Sequence, residues 1–294
     1  SMINGRIIKA MSGEYVVDTN KGVFTTRPRG IFRHKNNAPK VGDFVDISTT
    51  DEEHDQSVIV HIHPRKNEFI RPAVSNIDYL AIVMSVKSPT IDWLLIDKFI
   101  CSSLYNETKP ILILTKCDLL AEDDYKALEQ YKLYYDDLDI SLLFSINNNH
   151  LNQLKSLIKD HVVVLTGQTG VGKSTLINKL DQSKDLETQE ISTKLGRGKH
   201  TTRHIELFPF EGGYIGDSPG FSQLDVSMIE MQSLKHYFEE FNRFSQSCKF
   251  RECLHHREPK CQVKKAVEEG SIMKHRYDHY IHLLEAKMNE KPKY

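Results

Sequence analysis

Residues 167–174, GQTGVGKS, fit the pattern G-x-x-x-x-G-K-[ST], and each residue type in it suits work on phosphate. Gly167, Gly170 and Gly172 let the backbone curl, so that successive N–H groups, including those of Gln168, Thr169 and Val171, turn inward onto phosphate oxygens. Lys173 adds a positive charge at the β/γ position, Ser174 offers a hydroxyl to Mg2+, and Thr175 follows in the same turn. The flanks agree with this chemistry: HVVVLT reads as a buried strand and KSTLINKL as the start of a helix whose positive end faces the phosphates.

A phosphate cradle does not by itself separate ATP from GTP. Upstream, Thr115-Lys116-Cys117-Asp118 follows the apolar run PILIL, which places it at the carboxyl end of a strand, where open α/β sheets bind ligands. Asp118 can accept hydrogen bonds from guanine N1–H and the N2 amino group. Adenine lacks both donors and would leave a buried carboxylate unpaired. Lys116 would lay its stem along the base. TKCD is similar to the NKxD motif of GTPases, with Thr115 in place of the usual Asn, and Ser145-Ile146-Asn147 resembles the SAK element, without its lysine.

Downstream of the cradle, IGDSPGF (215–221) is similar to the DxxG motif. Asp217 would steady Mg2+ and Gly220 would offer its N–H to a γ-phosphate. In LGRGKHTTR (195–203), Thr201 or Thr202 supplies a hydroxyl that reaches Mg2+ only when the γ-phosphate is present, and both threonines stay open. In Ras-like enzymes a glutamine after DxxG orients the attacking water; here Phe221 stands there and can hydrogen-bond nothing. His200 has a side chain suited to orienting water, and is equally readable as a surface histidine.

The third cluster is metal-ligating. Cys248, Cys253, His255 and Cys261 stand in a C-x4-C-x-H-x5-C spacing, the donor set of a closed, tetrahedral, structural Zn2+ site, with His256 as a competing ligand. With five cysteines in the chain, three of them in this short stretch, a disulfide framework is not expected.

The elements that must hold these residues fall into three groups. Residues 1–66 read as short strands broken by turns, which predicts a small barrel, with the oligonucleotide-binding (OB) fold foremost. Residues 67–222 alternate apolar strands with helical patterns, as a mostly parallel sheet with covering helices does. Residues 223–294 read as amphipathic helices around the cysteine cluster. A net charge of −1 argues against a general nucleic-acid binder. Its distribution is uneven, however: Arg27, Arg29, Arg33 and Lys35 fall in a stretch without acids that could form a basic, RNA-binding face, solvated surface being the alternative. No apolar run is long enough to cross a bilayer, and no secretory leader precedes the barrel, so a cytoplasmic protein is expected.

The order is unusual. The guanine reader (115–118 and 145–147) precedes the cradle and the switches. With a barrel in front and the knuckle behind, the chain resembles the RsgA (YjeQ/YloQ) family of circularly permuted GTPases, and GRGKHTTR and DSPGF match that family's switch elements. The resemblance implies a GTPase acting in late maturation of the 30S ribosomal subunit and touching its 16S rRNA. It would use Mg2+ with GTP or GDP and one structural Zn2+, and work as a monomer. Guanosine tetraphosphate or pentaphosphate should also fit, because the cradle and Asp118 touch none of the added 3′ phosphates. Two rival readings remain open on the residues: an ATP-specific P-loop enzyme, and an RNA-binding module that uses nucleotide only as a structural ligand.

Asp118→Asn should move preference from guanosine towards xanthosine nucleotides, because xanthine offers a carbonyl where guanine offers an amine. A nucleotide competition assay checks this, and unchanged GTP affinity in the variant would remove Asp118 from the base site.

Overall fold

A computed structural model describes residues 1–34, 37–50, 53–168, 170–181, 191, 205–218 and 226–290. Five strands close on themselves at the amino-terminal end. They are β1 (Met2–Met11), β2 (Glu14–Thr19), β3 (Gly22–Pro28), β4 (Phe44–Thr50) and β5 (Glu53–Ile62), in the order β1-β2-β3-β5-β4 with β4 returning to β1. Alternate residues face inward, and Ile3, Ile7, Val17, Phe24, Val45, Ile47 and Ile59 fill the barrel. All neighbours run antiparallel except β3 and β5, where Thr26–Pro28 pair in parallel with Ser57–Ile59. This is the closed five-stranded arrangement of an OB-type barrel, as the short strands predict.

After a two-stranded ribbon, β6 (Glu68–Phe69) with β7 (Val74–Ser75), the chain enters a six-stranded sheet. Its members are β8 (Tyr79–Ser85), β9 (Lys109–Thr115), β10 (Ser141–Phe144), β11 (Val162–Thr166), β12 (Leu207–Phe210) and β13 (Gly213–Asp217). The order is β10-β9-β8-β11-β13-β12, parallel throughout except for the edge strand β12. β8 is buried from Leu80 to Ser85, so both of its faces are covered. α1 (Trp93–Tyr105) and α2 (Glu122–Asp137) pack on one face, and α3 (Asn148–Ile158) and α4 (Lys173–Leu180) on the other. Caps define two of these helix starts: the Asp92 carboxylate accepts from Leu95 N at 3.0 Å, and the Asn147 side chain from His150 N at 3.1 Å.

The carboxy-terminal part contains α5 (Glu239–Ser245), α6 (Gln262–Glu268) and α7 (Lys274–Met288) around a core of Phe238, Phe241, Val263, Tyr280 and Leu284. A buried ion network joins it to the sheet domain. Arg276, wholly buried, donates from Nε and Nη2 to the Glu240 carboxylate at 2.9 and 2.8 Å, and from Nη1 to Asp97 of α1 at 2.9 Å. Tyr135 of α2 donates to Asp97 at 2.9 Å, Tyr134 to Glu240 at 2.6 Å, and His279 also bonds Asp97. Burial opposes ionisation of Asp97 and Glu240, yet the Arg276 charge outweighs it with these hydrogen bonds and holds both carboxyls below their usual range.

The barrel meets the sheet domain through Tyr214, whose hydroxyl donates to Asp18 at 2.5 Å, while the Arg6 guanidinium covers the Phe44 ring at 3.9 Å. Buried Asp43 takes two bonds from Arg65 at 2.7 and 2.9 Å and one from Ser75 at 2.6 Å, which ties the connecting segment back onto the barrel. Among the described residues no helix is long and apolar enough to cross a membrane.

Arg276→Met should destabilise the fold by about 3–5 kcal/mol, because it leaves two carboxylates buried without their counter-charge. Denaturant unfolding measures the loss, and a change below about 1 kcal/mol would show that the network contributes little to stability.

Candidate functional site

The sheet determines where the motifs meet. β11 leads into the cradle, β9 ends in Thr115, and β10 leads into Ser145, with β8 lying between β9 and β11. Strand order reverses at β8/β11, and in such sheets the crevice at the carboxyl ends is the ligand site. β9 and β11 are two strand spacings apart, about 10 Å, so base reader and cradle face one crevice.

The cradle has the conformations its glycines permit. Gly167, Gly170 and Gly172 have φ of 146°, 86° and 97°, values that side-chain-bearing residues rarely adopt. A Cβ on Gly167 would lie 2.2 Å from the Val83 carbonyl oxygen, so the turn also needs close approach to β8. Val171 is buried and anchors the loop in the core, while α4 starts at Lys173 directly behind Gly172. Gln168 lies in the turn, Ser174 is partly exposed and Thr175 exposed in the first turn of α4.

Thr115, in the position usual for Asn, donates its hydroxyl to the Val171 carbonyl and so ties the base reader to the cradle. This bridge was not read from the sequence, where Thr115 only marked a departure from a motif; a short hydroxyl at a strand end beside a glycine loop is the signal that could have suggested it. Lys116 takes a left-handed backbone (φ 61°) and its ammonium donates to the Ser88 carbonyl at 2.7 Å, lying over the loop that follows β8. Asp118 sits exposed in the short turn Cys117–Leu119. The Cys117 thiol beside it is pushed up to about 11 by burial, assisted by Asp118, and remains protonated. Ser145 is buried at the end of β10, its N–H bonded to the Leu114 carbonyl at 3.0 Å.

Lys173 is nearly buried, and its ammonium donates to Asp217 Oδ1 at 2.8 Å and to the Gly167 carbonyl at 3.1 Å. A cation thus already sits on the Asp217 carboxylate. Ser174 and Asp217 are oxygen donors, the class that suits Mg2+, so the residues present fit a Mg2+-bound nucleotide. The Thr166 and Ser218 hydroxyls, at the ends of β11 and β13, are buried without hydrogen-bond partners among the described residues. Neither had been singled out in the sequence. Thr169, Gly220 and Phe221, and the switch residues His200, Thr201 and Thr202, lie outside the described residues.

In the knuckle, four donor atoms, from Cys248, Cys253, His255 and Cys261, lie within 4.8 Å of one another. His255 Nδ1 is 3.2 Å from Cys261 Sγ and 3.8 Å from Cys248 Sγ, and those two sulfurs are 4.0 Å apart. Such spacings suit tetrahedral ligands around one ion. Backbone N–H groups of His255, Gln262 and Lys264 point at the sulfurs of Cys253, Cys248 and Cys261 at 3.3–3.5 Å. Burial lowers His255 to about 4, which keeps the imidazole neutral as a ligand must be. Burial also pushes the Cys253 and Cys261 thiols up, so thiolates there need a cation. His256 instead meets Glu285 at 3.0 Å. Glu258, unnoticed in the sequence, organises the loop by accepting from the N–H groups of Leu254, His256 and Arg257. Those bonds hold its carboxyl at about 2 against the effect of burial.

On the barrel, Arg27, Arg29 and Arg33 are exposed on β3 and the turn after it, and Arg27 reaches Glu14 at 3.2 Å. Lys35 lies outside the described residues.

A parallel sheet whose base-reader strand precedes its phosphate strand, behind a closed barrel, defines a circularly permuted P-loop GTPase. Two family models cover most of the chain: the RsgA N-terminal domain over residues 4–59 and the RsgA GTPase over residues 62–227. The small ribosomal subunit biogenesis GTPase RsgA of Staphylococcus haemolyticus is 44% identical over 295 residues, covering all of both chains. That of Halalkalibacterium halodurans is 43% identical over 286 residues, with 97% of each chain covered. Among solved structures, YloQ, described as a circularly permuted GTPase, matches with a TM-score of 0.81 at 34% identity, covering 100% of this chain and 98% of its own. YjeQ from Thermotoga maritima matches with a TM-score of 0.83 at 31% identity, covering 99% and 100%. The chain belongs to the RsgA family of GTPases.

Gly167→Ala should weaken GTP and GDP binding at least about tenfold, since backbone strain of roughly 1–3 kcal/mol adds to the clash with Val83. Titration with a fluorescent guanine nucleotide checks this; parental affinity would mean that the turn relaxes without cost.

Proposed function

We propose that the chain hydrolyses GTP to GDP and phosphate on the small ribosomal subunit during its late maturation, and that the subunit is its activator. The end-to-end similarity to proteins named for small ribosomal subunit biogenesis carries this reading. The division of labour follows the domains: an RNA-binding barrel (1–66), a GTPase domain (67–222) and a zinc-binding helical domain (223–294).

In the GTPase domain, Asp118 reads the guanine edge, Lys116 lies along the base, and Ser145 offers its backbone to O6. The cradle from Gly167 to Thr175 holds the phosphates, and Ser174 and Asp217 would hold the accompanying Mg2+. Binding of nucleotide draws Lys173 from Asp217 to the β/γ-phosphates. Gly220 and either Thr201 or Thr202 sense the γ-phosphate. Guanosine tetraphosphate and pentaphosphate compete for the same site, and the tetraphosphate, without a γ-phosphate, holds the inactive state. Cys248, Cys253, His255 and Cys261 bind one structural Zn2+, for which three thiolates and a neutral imidazole are the fitting donors.

Phe221 leaves the attacking water without an orienting side chain, so the free enzyme turns over slowly. His200, positioned by the docked subunit, supplies that function. Docking places Arg27, Arg29, Arg33 and Lys35 on 16S rRNA phosphates, which dominate RNA affinity and make it salt-dependent. The protein acts as a cytoplasmic monomer.

GTP hydrolysis measured with saturating 30S subunits should exceed the free rate, by less than the roughly 10³–10⁵ that a partner-supplied group provides in the best-studied GTPases. Charge reversal at Arg27, Arg29 and Arg33 should reduce stimulation and leave basal turnover unchanged. His200→Ala should remain unstimulated. Absence of stimulation in the parent would overturn the ribosomal reading, whereas full stimulation of His200→Ala would overturn only the role given to that histidine.

A further inference from the structure

The outer face of the barrel carries a second group of metal-ligating side chains: Asp46 on β4, His61 at the end of β5, and His63 just beyond it. In a regular strand, Ile59 and His61 would share a face, and Ile59 is wholly buried. The pairing of β4 with β5 breaks that rule. Asp46 stands opposite His61 while the next residue, Ile47, stands opposite Ile59, which leaves Val60 as the extra residue of a β-bulge. Beyond the bulge Ile62 pairs with Val45, whose side chain is in the core, and His61 emerges exposed beside Asp46. His63 continues the pairing through its N–H to the Phe44 carbonyl at 2.8 Å and lies on the same outer face.

The three side chains converge. His63 Nε2 is 3.0 Å from Asp46 Oδ1, and the His61 and His63 rings meet edge to face with centroids 4.8 Å apart. One donor atom from each residue falls within 4.8 Å of the others. Hydrogen bonding alone accounts for Asp46 and His63, which satisfy each other. Among the described residues it does not account for His61, a third donor that the bulge turns towards that pair.

We propose that Asp46, His61 and His63 form a metal site, separate from the cysteine knuckle, for a divalent first-row transition ion of the zinc and nickel class. Two imidazoles and one carboxylate favour such ions over Mg2+, which takes oxygen donors. With ligand bonds near 2.1 Å, tetrahedral donor atoms stand about 3.4 Å apart. Asp46 and His63 are already close to that separation, and the exposed His61 ring can swing in without disturbing the core. Three ligands on one open face leave room for water or an outside ligand, unlike the closed knuckle. The ion would clamp β4 to β5 where the bulge interrupts their hydrogen-bond ladder.

The test uses full-length protein with its knuckle zinc in place and free metal removed. Ni2+ is titrated calorimetrically in excess Mg2+, for the parent and for His61→Ala and His63→Ala. GTP hydrolysis and unfolding midpoints of the variants establish that they fold. The parent should bind Ni2+ at one site, and each substitution should weaken binding at least about tenfold. No Ni2+ binding by the parent, or an affinity that neither substitution changes, would overturn the site.

Discussion

The pairing of β8 with β11 on one side and β9 on the other is the constraint from which the functional site follows. Parallel pairing brings the three carboxyl ends to the same edge, and the crevice forms where the strand order reverses. Hydrogen bonds between strands depend on their order in space, not on the order in which the chain visits them. A permuted connection can therefore rebuild the same edge, provided that each crossover is long enough. Here α3 and its flanks carry the chain from β10 across to β11 on the far side of β8. The Thr115–Val171 bond then ties the loop after β9 to the glycine loop after β11.

The same edge connects the site to the rest of the molecule. Asp217, which holds the Lys173 ammonium, ends β13, and three residues earlier on that strand Tyr214 bonds Asp18 of the barrel. Asp97 of α1 accepts from Tyr135 of α2 and from Arg276 of α7. The sheet domain is thus held to the barrel through the strand carrying Asp217 and to the helical domain through a desolvated charge network. A buried charge set of this kind contributes modest net stability but penalises any displacement that separates its members. Relative movement of these two domains is thereby restricted to arrangements that keep Arg276 between its carboxylates.

The knuckle shows a related balance. Burial makes thiolates unfavourable at Cys253 and Cys261, and backbone N–H groups aimed at the sulfurs offset only part of that cost. A cation held by these donors would supply the remainder, which would couple metal binding to folding of this loop.

The types and order of the elements around the site are legible in the amino-acid pattern. Short strands broken by turns announced a barrel, apolar strands alternating with helical patterns announced a parallel sheet, and glycines at 167, 170 and 172 announced a tightly curled loop, because these features arise from local sterics and periodicity. The four knuckle donors were legible for the same reason, being close in the chain. Contacts between distant segments were not legible. Thr115 against Val171, Arg276 between Asp97 and Glu240, and the register slip that sets His61 beside Asp46 link residues that neither spacing nor composition pairs. They arise in three-dimensional packing, because such contacts depend on how strands align and on which charges are left facing one another once water is excluded.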